Sequence, residues 1–327
     1  MIWVGERSCA PGCGARLVDD LRNLGFKADL YGRDGTPQPD DAALIEIDKG
    51  THAELLEYIL TKIPVDFDAL PILADGDSKQ VRLWTDQVVL LKFKPTVYSF
   101  TMNRYGEAPG TDAVRLRFTS ALFRRMAQQK SNVGIDCQSA FLAELANGGP
   151  LLAERRVDPG NLEIRVKRYH IGSPLHRYRL VERYETTQGS GPIRRWSRFN
   201  DPVVCFDWRN PLHDDHGNRF ADEPLSDDYA RLWMRDAEHA KTMVRDVFLW
   251  MEEWFAAASV RLVDMCVFVD REGRMIFGEI SPDCMRVHLS LDDPTRAETA
   301  DKDLWRAGKS PELLLARYEE LYHRLFC

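Results

Sequence analysis

The sequence predicts an α+β protein with a small α/β unit in front, and three observations carry the prediction. Strand and helix patterns alternate through residues 1–70. From about Pro71 the pattern changes to short strands joined by tight turns. A long amphipathic helix, about Asp228 to Ser259, then runs directly into a two-strand segment at Arg261–Ile280.

In the front unit, Ile2–Gly5 reads as a strand. Gly14–Leu24 reads as a helix with Leu17, Leu21 and Leu24 on one face and Gly25 as its stop. Lys27–Tyr31 and Ala43–Ile47 read as strands, and His52–Ile63 as a helix striped by Leu55, Leu56, Ile59 and Leu60. Arg33–Asp41, with its Gly, Pro and Asp residues, reads as a loop. The loop Arg7–Gly14 sits between a strand and a helix. It matches neither glycine-rich phosphate fingerprint in full, so a plain turn and a ligand loop both stay open.

Further on, Ile72–Ala74 and Gln80–Trp84 flank an Asp75-Gly76-Asp77-Ser78 turn. Val88–Phe93 follows as a strand and Ala113–Gln128 as a helix. Leu151–Val157 and Leu162–Tyr169 are strands separated by Asp158-Pro159-Gly160. In the long helix, Trp233, Ala237, Ala240, Val244, Val247, Met251, Trp254 and Ala258 make one apolar stripe about 45 Å long, which reads as core. Arg261–Val269 and Arg274–Ile280 are then strands joined by Asp270–Gly273.

The bulk properties narrow the function. Of 327 residues, 44% are hydrophobic and 29% charged, a globular composition. A net charge of −7 argues against general nucleic-acid binding. Seven scattered Cys suit reduced thiols better than a disulfide framework, and Cys9 and Cys13 have no zinc-site spacing. The N-terminus carries no signal-peptide pattern and no apolar run approaches a membrane span, so the expected location is the cytoplasm.

Three clusters carry candidate chemistry. If Val269 pairs with Arg274, Asp264 faces Glu279 across the ladder. Such carboxylates repel unless a cation, for which Mg²⁺ is the candidate, sits between them; pairing with an Arg or a slipped register is the alternative. Asp283 and Arg286 follow at the strand end, either as a binding pair for an anion or as a structural ion pair. The second cluster is Arg165, Lys167, Arg168, His170, His176, Arg177, Arg179 and Arg183 around Gly172-Ser173-Pro174: an anion-focusing patch or a solvated basic face. At most about half of a strand's residues can face one site. The third is His213-Asp214-Asp215-His216, a candidate for metal, acid–base or amine binding, or an ordinary loop.

Taken in order, these segments resemble SAICAR synthetase over roughly residues 72–327. The resemblance rests on Gly76–Val81 with Lys79, on Glu163–Lys167 followed by Gly172-Ser173 and His176-Arg177, and on His213-Asp214. It continues in Leu262-Val263-Asp264, in Glu279-Ile280-Ser281-Pro282-Asp283-Cys284-Met285-Arg286, and in Asp301-Lys302-Asp303-Leu304-Trp305-Arg306. It implies two α+β lobes with ATP in the cleft between them: an N-lobe at 71–157 that binds nucleotide and a C-lobe at 158–327 that binds substrate, behind an added 1–70 domain.

The implied roles are Gly76 and Lys79, with Glu279, for ATP; Glu279 and Asp264 for Mg²⁺; and Lys167, Ser173, Arg177 and Arg286 for a substrate phosphate or equivalent anion. Asp301, Lys302 and Arg306 would lie near the amino-acid substrate. Asp214, Asp264 and Asp283 are the catalytic candidates, Asp214 orienting the amine. The implied reaction is ATP-dependent amide formation through an acyl phosphate, as in purine biosynthesis, with a small-molecule carboxylate and an amine as partners, no nucleic acid and no membrane. A homo-oligomer stays open.

The sequence also departs from the family. Cys266 and Phe268 stand where it has Lys and Glu, and Gly278 where it has Asp. Glu154-Arg155-Arg156 replaces a lysine-rich hinge, and Val287-His288-Leu289 replaces Trp-Asp. These departures suit a divergent relative in specialised nucleoside or antibiotic metabolism. A phosphotransferase of the related two-lobed kinase fold and a binding homologue without catalysis are the alternatives.

Overall fold

A computed structural model describes residues 1–6, 12–31, 43–99, 104–133, 137–146, 150–178, 180–187, 191–209, 215–216 and 222–327. In chain order its elements begin with β1 (Ile2–Glu6), α1 (Cys13–Asn23), β2 (Ala28–Leu30), β3 (Ala43–Ile47), α2 (His52–Lys62), β4 (Ile72–Asp75), β5 (Lys79–Thr85) and β6 (Val88–Phe93). Then come β7 (Thr96–Ser99), β8 (Arg104–Glu107), α3 (Thr111–Val133), β9 (Gln138–Ser139), β10 (Phe141–Leu145), β11 (Leu151–Arg155), β12 (Leu162–Tyr169), α4 (Ser173–Arg177), β13 (Arg198–Trp208) and β14 (Glu223–Leu225). The chain ends with α5 (Asp227–Ala230), α6 (Ala237–Ala257), β15 (Arg261–Val269), β16 (Met275–Phe277), β17 (Met285–His288), α7 (Asp303–Arg306) and α8 (Pro311–Phe326). The mixture of helix and strand bears out the α+β prediction. Among the described residues no helix is long and apolar enough to cross a membrane.

Two compact units result. The first is Met1–Lys94 with Ala140–Val157, the second Pro95–Ser139 with Asp158–Cys327. In the first unit, β2-β1-β3 form a parallel sheet and β10-β11-β6-β5-β4 an antiparallel one. One apolar core runs through both sheets: Leu17, Leu21, Ile59 and Leu60 belong to the same cluster as Val88, Leu90, Leu145 and Leu151. Residues 1–70 therefore share a core with the strands that follow instead of closing on themselves. A capping box at Thr51 and Glu54 starts α2. Residues 95–139, grouped by the sequence reading with the N-lobe, fall in the second unit, where Gly106 of β8 lies against the Trp305 ring and Val97, Val114, Trp305 and Tyr318 share a core.

The second unit is built on the sheet β14-β13-β12-β15-β16-β9, with β17 pairing the other end of β15. Along β12 and the second half of β15, apolar side chains take one face of the sheet. Leu162, Ile164 and Val166 of β12 and Met265, Val267 and Val269 of β15 are buried, as are Ala240, Val244, Val247 and Met251 of α6, which packs on β12, β13 and β15. Burying one aliphatic side chain contributes about 1.5–3 kcal/mol, so this layer anchors the unit. The helix expected from Asp228 to Ser259 is two helices. Arg235 N–H bonds to the Arg271 carbonyl, and Asp236 caps α6 by accepting from His239 N–H at 3.2 Å. Gly273 sits so close behind this cap that a Cβ would meet the Asp236 carbonyl oxygen at 2.4 Å.

Candidate functional site

The other face of this sheet is polar, and register builds it rung by rung. Strand neighbours on the same row share a face. Asp207, Glu163, Phe268 and Phe277 make one row. Cys205, Arg165 and Cys266 make the next, and Lys167, Asp264 and Arg286 the third. Beyond a bulge between Leu262 and Asp264, Arg261 pairs with His288.

The third row is the centre of charge. Lys167 Nζ and Arg286 Nη1 both donate to Asp264 Oδ2, each at 2.7 Å. Burial opposes the Asp264 charge, but Arg286 and then Lys167 hold its carboxyl far below the usual range. Arg286 Nε donates to Asp303 Oδ2 at 3.1 Å, and Arg306 also donates to Asp303. Gly172, at φ 75°, brings the backbone against this guanidinium: a Cβ there would lie 2.8 Å from Arg286 Nη1 and Nη2. The neighbouring Ser173 Oγ accepts from Arg165 Nη1 at 3.3 Å.

Around this row Arg165, Arg177 and Lys302 each meet an acid, while His170 Nε2 is buried without a hydrogen-bond partner among the described residues and Arg179 lies outside them. Arg165 reaches Glu163 at 2.6 Å, Asp207 at 2.8 Å and Asp222 at 2.6 Å. Arg177 donates to Asp207 Oδ1 at 2.7 Å and to the Asp222 carbonyl at 2.8 Å. Lys302 pairs with Asp283 at 2.6 Å. Asp301 is fully buried. It accepts from Val287 N–H at 2.8 Å and Asp303 N–H at 2.7 Å, and also from the Thr299 hydroxyl. Burial and the neighbouring Asp303 nevertheless push its pKa up to about 7. Arg168 points to the opposite face, where it grips Glu252 of α6.

The register predicted for Asp264 and Glu279 is corrected. Val269 pairs with Ile276, not Arg274, because Asp270 Oδ1 accepts from Arg274 N–H at 2.8 Å and Met275 N–H at 2.9 Å and widens the turn. Gly278, at φ 80°, then leaves the ladder, and Arg286 becomes the partner of Asp264. Glu279 instead meets Arg115 of α3, whose Nε and Nη2 donate to its two oxygens at 2.7 and 2.9 Å; the Ser281 hydroxyl donates to Oε1 as well. The pair is closed from solvent, at 0% and 2% side-chain exposure. Burial works against the Arg115 charge, but Glu279 outweighs it.

These two carboxylates do not fit a metal ion. Glu279 has a donor on each oxygen, and Asp264 already carries two cations. Among the described residues no group of three His, Cys, Asp or Glu side chains is placed to hold one. Gly76 and Lys79 belong to the first unit, in the β4–β5 hairpin. Gly76 N–H is spent on the Lys79 carbonyl at 2.9 Å, and Lys94 holds Asp75 at 2.5 Å and the Gly76 carbonyl at 2.8 Å. The hairpin therefore offers an anionic ligand lysine charge and little backbone.

Asp214 lies outside the described residues, as does His213. Arg165 was read from the sequence as part of the basic cluster without a role of its own, and Arg115, Asp207 and Asp222 were not read as site residues at all. For Arg165 and Asp207, alternation along β12 and β13 held the signal. For Arg115, one arginine on a helix, there was none.

These features define a class: a mixed α and β protein with a dense network of ion pairs on one sheet face of its larger unit. Solved structures share the fold. "SAICAR synthetase (Type-2) in complex with ADP" matches with a TM-score of 0.61 at 19% identity, covering 78% of this chain and 97% of that one. Phosphoribosylaminoimidazole-succinocarboxamide synthase from Ehrlichia chaffeensis matches with a TM-score of 0.61 at 17% identity, covering 78% and 98%. The SAICAR synthetase family model matches residues 72–319. The chain belongs to the SAICAR synthetase family, whose members are ATP-dependent ligases.

Among its relatives, phosphoribosylaminoimidazole-succinocarboxamide synthase of Sulfolobus acidocaldarius is 24% identical over 254 residues, 77% of this chain and 96% of that protein. Bifunctional cordycepin biosynthesis cluster protein 3 of Cordyceps militaris is 26% identical over 292 residues, 76% of this chain. The chain spans 32% of the length of that protein.

Proposed function

We propose that the chain joins an anionic heterocyclic carboxylate, of the ribosyl-phosphate kind, to an amine such as aspartate. The observation that carries this reading is the Lys167–Asp264–Arg286 row with Ser173 and Gly172 beside it, inside the segment that matches the family. An arginine and a lysine fixed on one carboxylate oxygen keep further N–H donors that an anion could accept from. Lys167, Ser173 and Arg286 would take the substrate anion, with Arg177 and Arg165 as an outer basic ring.

In the reaction, a carboxylate oxygen attacks the terminal phosphorus of ATP, and ADP leaves with the electrons of the broken P–O bond. The amine nitrogen then attacks the acyl carbon and loses a proton, and phosphate leaves. Protein work here is positioning and charge neutralisation. Lys79, in the hairpin of Gly76, would meet the ATP phosphates. Lys302, Arg306 and buried Asp301 would border the amine site, which Asp214 and Asp283 would help to orient. Magnesium enters this reading only as the counter-ion that ATP carries, with no role for Glu279 or Asp264 as its ligands.

Specialised nucleoside metabolism, in the cytoplasm, is the setting we favour, supported by the relative named for cordycepin biosynthesis. The direct test is ADP release over a panel of ribosyl-heterocycle carboxylates and amino acids. Release that needs both partners supports the ligase. Release with a carboxylate or sugar phosphate alone, without amide product, would turn the reading to a phosphotransferase. Absence of ATP binding in calorimetry would leave a binding homologue.

A further inference from the structure

We propose that Cys266 and Cys284 are a reversible dithiol–disulfide pair, a modification site on the polar face of the β15–β17 ladder. The argument starts from register. Asp264 pairs with Arg286 and Met265 with Met285, so the next pair is Cys266 and Cys284. Cys266 N–H donates to the Cys284 carbonyl at 2.7 Å, which extends the ladder by one bond, while Cys284 N–H turns to the Ser281 carbonyl at 2.9 Å at the end of the preceding turn. Facing residues of antiparallel strands have Cα atoms about 4.5–5.5 Å apart and side chains on the same face. A disulfide needs Cα atoms about 4.4–6.8 Å and Cβ atoms about 3.5–4.5 Å apart, so the Cα separation is in range and the Cβ atoms close by about 1 Å when the bond forms.

The sulfurs agree with the backbone. Cys266 Sγ lies 3.2 Å from the Cys284 carbonyl, so its thiol leans toward the residue opposite it. Both residues are free and half-buried, which admits a small oxidant more readily than a protein. The third thiol on this row, Cys205, is excluded as a partner. Strand β12 lies between it and Cys266, two sheet spacings or roughly 9.5 Å apart. Its own Sγ sits 3.8 Å from the Arg165 carbonyl.

A peroxide suffices as oxidant. Cys284 and burial push the Cys266 thiol well above its usual range, so the Cys284 thiolate is the one that attacks a peroxide oxygen; the O–O bond breaks and hydroxide leaves, giving a sulfenic acid on Cys284. The second thiol attacks that sulfur, the S–S bond forms and water leaves. Two thiols and one hydrogen peroxide become one disulfide and two waters. A small thiol reverses the change by exchange. The bond ties together the strands that carry Asp264 and Arg286, each two residues from a sulfur.

The test needs no substrate and stands apart from the ligase reading. The full chain is treated with hydrogen peroxide, alkylated and mapped by mass spectrometry. Loss of two hydrogens with a Cys266–Cys284 cross-linked peptide, reversed by dithiothreitol, is expected. A reversible rise of several degrees in Tm should accompany it, since the link closes a loop in the unfolded chain. Cys205→Ala should keep the cross-link, while Cys266→Ser and Cys284→Ser should each lose it. Both thiols alkylating fully after peroxide, a link to Cys205, or accumulation of sulfinic acid without a cross-link would overturn the proposal. The wild type and Cys205→Ala decide the matter even if a serine variant fails to fold.

Discussion

Asp264 and Glu279 are both buried carboxylates in the same unit, yet their surroundings differ. Glu279 faces one guanidinium in a closed space, with Arg115 at 0% side-chain exposure. Asp264 is shared by an ammonium and a guanidinium; it is 7% exposed and Lys167 4%, and solvent reaches the row at Arg286, at 17%. In the proposed reading the difference separates mortar from site. A closed pair holds α3 to the chain after β16. Two cations converging on one carboxylate would turn further donors to an incoming anion.

The largest effect belongs to the closed pair. Arg115→Met leaves Glu279 as an uncompensated buried charge and should cost about 3–5 kcal/mol in urea unfolding, while Arg115→Met with Glu279→Met should recover most of it. Added phosphate should not help, because no anion can enter. A single-variant loss below 1 kcal/mol, or recovery with phosphate, would break the contrast with Asp264.

Asp264→Asn comes next. It leaves Lys167 and Arg286 facing each other without their anion, at a cost of about 2–3 kcal/mol, toward the lower end expected for a broken buried pair because Asn still accepts a hydrogen bond. Here phosphate should restore stability in proportion to the logarithm of its concentration. The wild type adds a pH signature. Because the folded pKa of Asp264 is depressed, its stabilisation is complete above the unfolded value, about 3.9, and fades as pH falls below it toward the folded one. Asp264→Asn should flatten that acid limb; an unchanged limb would mean that the stabilisation lies elsewhere.

How far the sequence foresaw this contrast depends on the kind of information each part needed. Strand parity was legible: Glu163, Arg165 and Lys167 alternate with Ile164 and Val166, and Asp264 with Met265, so which side chains share a face follows from period two. The partner of Asp264 was not. It depends on Asp270 widening a turn by two residues and then on Gly278 leaving the ladder, so that a separate strand, β17, sets Arg286 opposite. The break between α5 and α6 was hidden for a related reason: a tertiary bond from Arg235 to Arg271 stops a helix that the apolar stripe would continue. Arg115 gave no warning, since its partner is 164 residues away.

Gly172→Ala sharpens the open side of the comparison with a smaller change. At φ 75° any Cβ is strained, and this one would press on a guanidinium that Asp264 and Asp303 hold in place. About 1–3 kcal/mol of stability should be lost. Phosphate affinity by calorimetry should fall further than in a surface control, because Arg286 must turn away. Equal affinity would remove Gly172 and Arg286 from the anion site.

The smallest effect on stability should come from Arg306→Gln. Its pair with Asp303 is about one-third exposed on each side, and such pairs contribute less than about 1 kcal/mol. Asp303 also keeps Arg286, so the fold loses little. If Arg306 borders the amine site, KM for the amine should rise severalfold with kcat nearly constant, the pattern of lost ground-state binding. A fall in kcat at constant KM would place Arg306 at the reacting atoms instead. No kinetic change would make it a brace for Asp303, and the open face would then begin at Arg286.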